Sequence, residues 1–130
     1  MKVLIVEDDP QTAMQYKLAL EEKNHDVVVT NDGKEACDSY SKALEQVEPK
    51  TAGHSPFDVV VLDYRLPVKN GIQIAKKIMS KNPKQKMMFA TGHMKEILTR
   101  EAKEDIPLEV IEKPFELDEF VNKVERLAVA

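Results

Sequence analysis

At 130 residues the chain is sized for one domain, long enough to bury roughly two thirds of its surface. Its 42% hydrophobic and 32% charged residues are the composition of a globular fold, and a formal net charge of −4 argues against general affinity for nucleic acid or an anionic membrane. No apolar run approaches the ~18 residues of a membrane span, the amino terminus lacks a signal-peptide layout, and a single cysteine, Cys37, excludes an internal disulfide and suits a reducing cytoplasm.

Lys2-Val3-Leu4-Ile5-Val6 reads as a strand that runs directly into Glu7-Asp8-Asp9-Pro10, with Asp9 as a helix N-cap and Pro10 at the first helical position. Ala13, Tyr16, Ala19 and Leu20 then recur at core-facing spacing, predicting a helix to about residue 23. Asn24-His25 turns the chain into a second strand, Asp26-Val27-Val28-Val29-Thr30, and His25 reads as a solvated turn residue. Asn31-Asp32-Gly33 opens a long second helix, whose Ala36, Tyr40, Ala43, Leu44 and Val47 keep one face. Two prolines and a glycine within 48–56 break it into an exposed loop, where His54 has no companion at metal-ligand spacing.

The third strand, 57–62, carries the unbroken apolar run Val59-Val60-Val61-Leu62, of the kind buried on both faces of a parallel sheet, and it ends at Asp63. A helix over 70–81 follows, with Ile72, Ala75, Ile78 and Met79 inward, and Asn82-Pro83 ends it. Lys86-Met87-Met88-Phe89-Ala90 delivers Thr91-Gly92-His93 at its carboxyl end. A weaker helix over 94–104, a fifth strand over 108–112 leading to Lys113-Pro114-Phe115, and a last helix over 116–128 complete the pattern. In that last helix Leu117, Phe120, Val121, Val124 and Leu127 are in register.

Strict alternation of five strands with five helices implies an α/β, doubly wound parallel sheet. Right-handed crossovers favour the flavodoxin-like strand order 2-1-3-4-5. In that order the first and third strands flank the topological switch point, so Glu7, Asp8 and Asp63 converge in one crevice. Packed carboxylates repel one another and raise one another's pKa unless a cation sits among them. Mg²⁺ suits the need, because it takes a few carboxylates, retained waters and a phosphate oxygen. Lys113 adds a fixed positive charge and Thr91 a hydroxyl. The set of carboxylate nucleophile, divalent cation, ammonium and hydroxyl fits phosphoryl transfer. Taken singly, each residue has a plainer reading: a strand-ending aspartate, a capping run, a hydroxyl bonded to backbone, a solvated lysine. Their placement on four strand ends that the topology gathers is what favours chemistry.

The combination of an apolar strand and Glu7-Asp8, Asp63 with Pro67 and Gly71, Thr91, and Lys113-Pro114-Phe115 closely resembles the receiver domain of two-component response regulators, over nearly the whole chain. The resemblance implies that Asp63 accepts a phosphoryl group from the phosphohistidine of a histidine kinase or phosphotransfer protein. It implies that Asp8 and Asp63 bind Mg²⁺ directly, that Glu7 helps through water, and that the backbone carbonyl of Arg65 completes the protein ligands. Thr91 and Lys113 would hold phosphoryl oxygens, and the Lys113–Pro114 peptide is expected to be cis. The expectation is a cytoplasmic, single-domain switch over 1–130 without an output domain. It would catalyse only its own phosphorylation and dephosphorylation, as a monomer or phosphorylation-dependent dimer. It would signal to a separate effector protein through the face formed by helix 94–104, the fifth strand and the last helix, with no direct nucleic-acid contact and no membrane insertion. Met94, Ile97 and Leu98 are candidates for that surface.

Several positions depart from the family pattern. Val110 stands where an aromatic switch residue is usual, Gly92 where alanine is commoner, and the 39–56 segment is longer than usual. Arg65 and His93, two residues past Asp63 and Thr91, match positions that tune phosphoryl lifetime. Three competing readings stay in view: a degenerate receiver that binds a partner without phosphorylation, an aspartate-nucleophile phosphatase, and a flavin protein. The phosphatase reading wants a second acid where Arg65 stands. The flavin reading wants a Ser/Thr/Gly-rich loop where the chain is acidic.

Overall fold

The apolar runs read as central strands are the ones the fold buries completely. The computed structural model describes residues 1–47, 55–64, 66, 70–92 and 109–130. Strands β1 (Lys2–Val6), β2 (Asp26–Thr30), β3 (Val59–Leu62), β4 (Met87–Thr91) and β5 (Glu109–Glu112) form one sheet in the order β2-β1-β3-β4-β5. Every pairing is parallel. Residues 3–6 of β1 and all of β3 and β4 are buried, whereas the edge strands β2 and β5 are only partly covered. Central strands of a parallel sheet are covered on both faces, so they carry no polar alternation.

Four helices accompany the sheet among the described residues: α1 (Pro10–Glu21), α2 (Gly33–Glu45), α3 (Gly71–Lys81) and α4 (Leu117–Val129). The helix expected over 94–104 lies outside the described residues, as do residues 48–54 of the long connection. Side chains alternate between two cores, as the strand period requires. Leu4, Val6, Val60, Leu62 and Phe89 pack with Ala36 and Tyr40 of α2 and Ile72 and Ile78 of α3. Val3, Ile5, Val61 and Met88 pack on the opposite side with Tyr16 and Leu20 of α1 and Phe120 and Val124 of α4.

Side-chain caps start three helices where the residue types predict them. Asp9 accepts the Thr12 amide at 3.3 Å, with Pro10 in the first turn, and Asp32 accepts the Glu35 amide at 2.8 Å. Asn70 and Gln73 form a reciprocal capping box, each backbone amide bonded at 3.0 Å to the other side chain. At the amino end of the sheet the Tyr40 hydroxyl donates to Gln85 Oε1 at 2.7 Å, and Gln85 Nε2 donates to the Phe57 and Lys86 carbonyls at 2.9 and 3.0 Å. This network joins α2 to the entries of β3 and β4.

Two expectations need correction. Leu117 is 37% exposed rather than inward, because it occupies the first position of α4, ahead of the face that docks. His25 is not a solvated turn residue: its Nε2 lies 2.8 Å from Glu125 Oε2 and its Nδ1 3.3 Å from the Met1 amine. It therefore ties the entry of β2 to α4.

Candidate functional site

Each carboxylate is placed by the backbone of the strand that carries it. The Glu7 amide donates to the Thr30 carbonyl at 3.0 Å, which extends the β1–β2 pairing one residue beyond the strand. The Asp63 amide donates to the Val6 carbonyl at 3.1 Å, so the first and third strand ends leave the sheet side by side. Carboxylate oxygens of Glu7, Asp8 and Asp63 come within 4.8 Å of one another. The three carboxylates share one crevice but differ in setting. Glu7 is buried, Asp63 half-buried and Asp8 exposed.

Lys113 enters from the opposite side. Its amide donates to the Thr91 carbonyl at 2.9 Å, which fixes the chain as it leaves β5 against the end of β4, and its peptide bond to Pro114 is cis. Its Nζ donates to Glu7 Oε1 at 2.9 Å and to Asp63 Oδ2 at 3.3 Å. The second Glu7 oxygen accepts the Asp9 amide at 3.2 Å. Glu7 thus spends both oxygens on the protein, while Asp8 is exposed. Thr91 is fully buried at the last position of β4. Arg65 and His93 lie outside the described residues.

The electrostatics of the pocket follow from its composition. Burial raises the Glu7 pKa above the ordinary carboxylate range, and the Asp63 charge adds to the rise; the Lys113 hydrogen bond and the Asp9 amide oppose it without cancelling it. Burial pulls Lys113 down, but the Glu7 hydrogen bond and the neighbouring Tyr16, Asp63 and Glu7 more than reverse this, so its pKa is raised and the ammonium persists. A salt bridge on its own would lower the carboxylate partner. The rise at Glu7 has a physical cause, since an ammonium shared with a second acid does not offset the desolvation of the buried Glu7 carboxyl. With three carboxylates and one ammonium, the pocket carries two uncompensated negative charges when all are ionised. Oxygen ligands, exposure of Asp8 on the open side, and a deficit of two positive charges fit a hard divalent cation such as Mg²⁺.

Two residues at this site do more than their reading in the sequence assigned them. Tyr16 reads there only as a core residue of the first helix, yet its phenol, raised by burial, also feels the charges of Lys113, Glu7 and Asp63. Gly71 packs so that a β-carbon would overlap the Asp63 carbonyl oxygen. Its amide donates to the Tyr64 carbonyl at 2.6 Å, closing the loop behind the acid. A glycine needed for close approach cannot be told from a turn glycine by spacing.

Known proteins are similar to this chain in sequence and fold. The family model for the response regulator receiver domain matches residues 3–125. The response regulator receiver protein CpdR of Brucella abortus is 27% identical over 129 residues, covering 99% of this chain and 98% of the relative. Protein CcdB of Bacillus subtilis is 31% identical over 127 residues, covering 97% and 96%. Among solved structures, the non-phosphorylated HemR receiver domain from Leptospira biflexa superposes with a TM-score of 0.74 at 30% identity, covering 99% of this chain and 94% of that one. On the match to the family model and the fold, this chain belongs to the response regulator receiver domains of two-component signalling.

Proposed function

We propose that the chain is a phospho-acceptor switch in which Asp63 takes a phosphoryl group from the phosphohistidine of a histidine kinase or phosphotransfer protein. An Asp63 carboxylate oxygen attacks phosphorus, the phosphorus–nitrogen bond breaks, and the electron pair leaves with the imidazole. The product is an acyl phosphate on Asp63. The observation that carries this reading is the Lys113 ammonium, which bridges Glu7 and Asp63 at 2.9 and 3.3 Å on the side where phosphoryl oxygens would lie.

Lys113 has the role of neutralising those oxygens as charge accumulates on them, and Thr91 supplies a hydroxyl from the end of β4. Asp8 and Asp63, aided by Glu7 and the backbone carbonyl of Arg65, would hold Mg²⁺. When bound, Mg²⁺ supplies the positive charge that offsets the clustered carboxylates and the incoming phosphoryl group. Glu7, already committed to Lys113 and the Asp9 amide, positions the lysine more than it competes for the incoming group.

The switch acts in the cytoplasm on a separate effector, through a face that includes β5 and α4. Phosphorylation is then a local charge event that biases that face between two arrangements. Val110 is half-buried, and its carbonyl accepts Lys123 Nζ at 2.8 Å, so rearrangement there proceeds without an aromatic rotamer at that position.

Incubation with Mg²⁺ and acetyl phosphate or phosphoramidate, followed by intact mass, tests the reading. One added phosphoryl group is expected, absent without Mg²⁺ and absent in Asp63→Ala. No uptake under any of these conditions would refute the phospho-acceptor role and leave a partner-binding module.

A further inference from the structure

The backbone of Glu7 is held on both sides of its side chain. Its amide donates to the Thr30 carbonyl at 3.0 Å, one step past the Val6–Thr30 register pair. Its carbonyl accepts the side chain of Asn31, whose Nδ2 lies 3.1 Å away. A backbone carbonyl only accepts, so the nitrogen of the Asn31 amide is the atom that must face it. The chain here is leaving β2 for α2, and a side chain continues the bonding that backbone supplies inside a parallel ladder. Asn31 acts from a fixed base. Thr30 before it is buried, with its Oγ1 donating to the Ile5 carbonyl at 2.9 Å. Asp32 after it caps α2 by accepting the Glu35 amide at 2.8 Å.

The Glu7 carbonyl belongs to the peptide that joins Glu7 to Asp8. The following peptide is pinned as well: the Asp9 amide donates to Glu7 Oε2 at 3.2 Å, and Lys113 Nζ holds Glu7 Oε1 at 2.9 Å. Asp8 therefore sits between two rigid peptide planes, each tied to a neighbour. Asp8 is exposed, so backbone rather than packing aims its carboxylate toward those of Glu7 and Asp63. We propose that Asn31 is a positioning residue for the divalent cation: its bond to the Glu7 carbonyl fixes the Glu7–Asp8 peptide and with it the direction of the Asp8 carboxylate. This rests on the reading that Asp8 and Asp63 hold Mg²⁺, and adds to it a residue from outside the acidic cluster. Mg²⁺ demands near-ideal ligand geometry, so a carboxylate free to swing binds it less well. A group that orients a ligand raises affinity without touching the ion. By its place in the sequence Asn31 reads only as part of the turn that opens α2.

Asn31→Leu keeps the approximate size of the side chain and removes the donor, and Asn31→Ala is a second route to the same loss. Mg²⁺ alone is titrated into the phosphate-free protein and followed by the amide resonances of Asp8 and Asp63. The Kd should rise about three- to tenfold in both variants, the scale of one hydrogen bond. The Mg²⁺ concentration that half-saturates phosphorylation by acetyl phosphate should rise by the same factor, and excess Mg²⁺ should recover the rate. A pocket loosened in general would stay slow at any Mg²⁺ concentration. An unchanged Kd, or a loss of rate that excess Mg²⁺ does not recover, would overturn the proposal. A metal-free measurement is the ¹⁵N order parameter of the Asp8 amide, which should fall in Asn31→Leu. If wild type binds no Mg²⁺, the reading of Asp8 and Asp63 as metal ligands fails. The order parameter then decides by itself whether Asn31 fixes Asp8, an unchanged value counting against it.

Discussion

Replacing Gly71 by alanine probes how tightly the loop after Asp63 is closed. A β-carbon at Gly71 would overlap the Asp63 carbonyl oxygen, lie 2.5 Å from Phe89 Cε1 and 3.1 Å from the Tyr64 α-carbon. Two of these three neighbours are backbone atoms and the third belongs to a fully buried ring, so none can rotate aside. Relieving the contact to ordinary van der Waals distance requires displacing the first turn of α3 or the Asp63 backbone by about 1 Å, an overpacking cost of about 1–3 kcal/mol. Reduced entropy of the unfolded chain returns about 0.4–1 kcal/mol of this. The net expectation is destabilisation by about 1–2 kcal/mol, read by urea denaturation at an unchanged m-value. Because the displaced backbone carries the carboxylate that meets Lys113 at 3.3 Å, phosphorylation by acetyl phosphate should slow by at least about tenfold. Gly92→Ala is the matched control, since a β-carbon there meets nothing within 4 Å. Its stability should stay within about 0.5 kcal/mol of wild type. Equal stability and equal rates for Gly71→Ala would refute the close-approach reasoning.

Alkaline stability reports on the Lys113 pocket. The Tyr16 phenol, ordinarily at 10.0, is pushed up to about 12 in the folded chain by burial. The folded state therefore holds a proton that the unfolded state releases, and stability is full below pH 10.0 and lost as pH rises toward about 12. The loss is on the order of 2–3 kcal/mol. Lys113, raised above its ordinary 10.5, acts in the same sense: its contribution is complete below that pH and fades as pH climbs through the folded value. Circular dichroism followed against pH should place alkaline unfolding of Tyr16→Phe at higher pH than wild type; an unmoved or lower midpoint counts against the burial argument. At the other end of the sheet, Tyr40→Phe removes the donor to Gln85 Oε1 and leaves a buried acceptor unpaired. This should cost about 1–3 kcal/mol in denaturant melts. Phosphate uptake should be unchanged, since the network sits at the amino ends of the strands and the acids at the carboxyl ends.

Much of the scaffold was legible because it is written in local pattern. Apolar runs such as Val59-Val60-Val61-Leu62 mark central strands, since only strands covered on both faces can forgo polar alternation. Asp9 with Pro10, Asp32, and Asn70 mark helix starts, because a capping side chain acts on an amide three residues away. The strand order follows from chain order and crossover handedness, and the parallel sheet bears it out. Where sequence reasoning erred, the deciding contact was remote. His25 meets Glu125, 100 residues along the chain, and Leu117 faces outward because the docking geometry of α4 turns its first position away from the core.

The acids and the lysine could be named from the sequence as a gathering at strand ends, but their division of labour could not. Glu7 and Asp8 are neighbours of like charge in the chain, yet one is buried against Lys113, 106 positions away, and the other faces solvent. Tyr16 is, by spacing, simply another core position of a helix; that its ring stacks on Phe115 and Phe120 depends on how α1 and α4 pack together. Local sequence determines which elements form and which end of each carries the polar residues, because those choices rest on periodicity and caps within a few residues. The distances that make a reactive site are set by packing between segments far apart in the chain, and only the assembled sheet decides them.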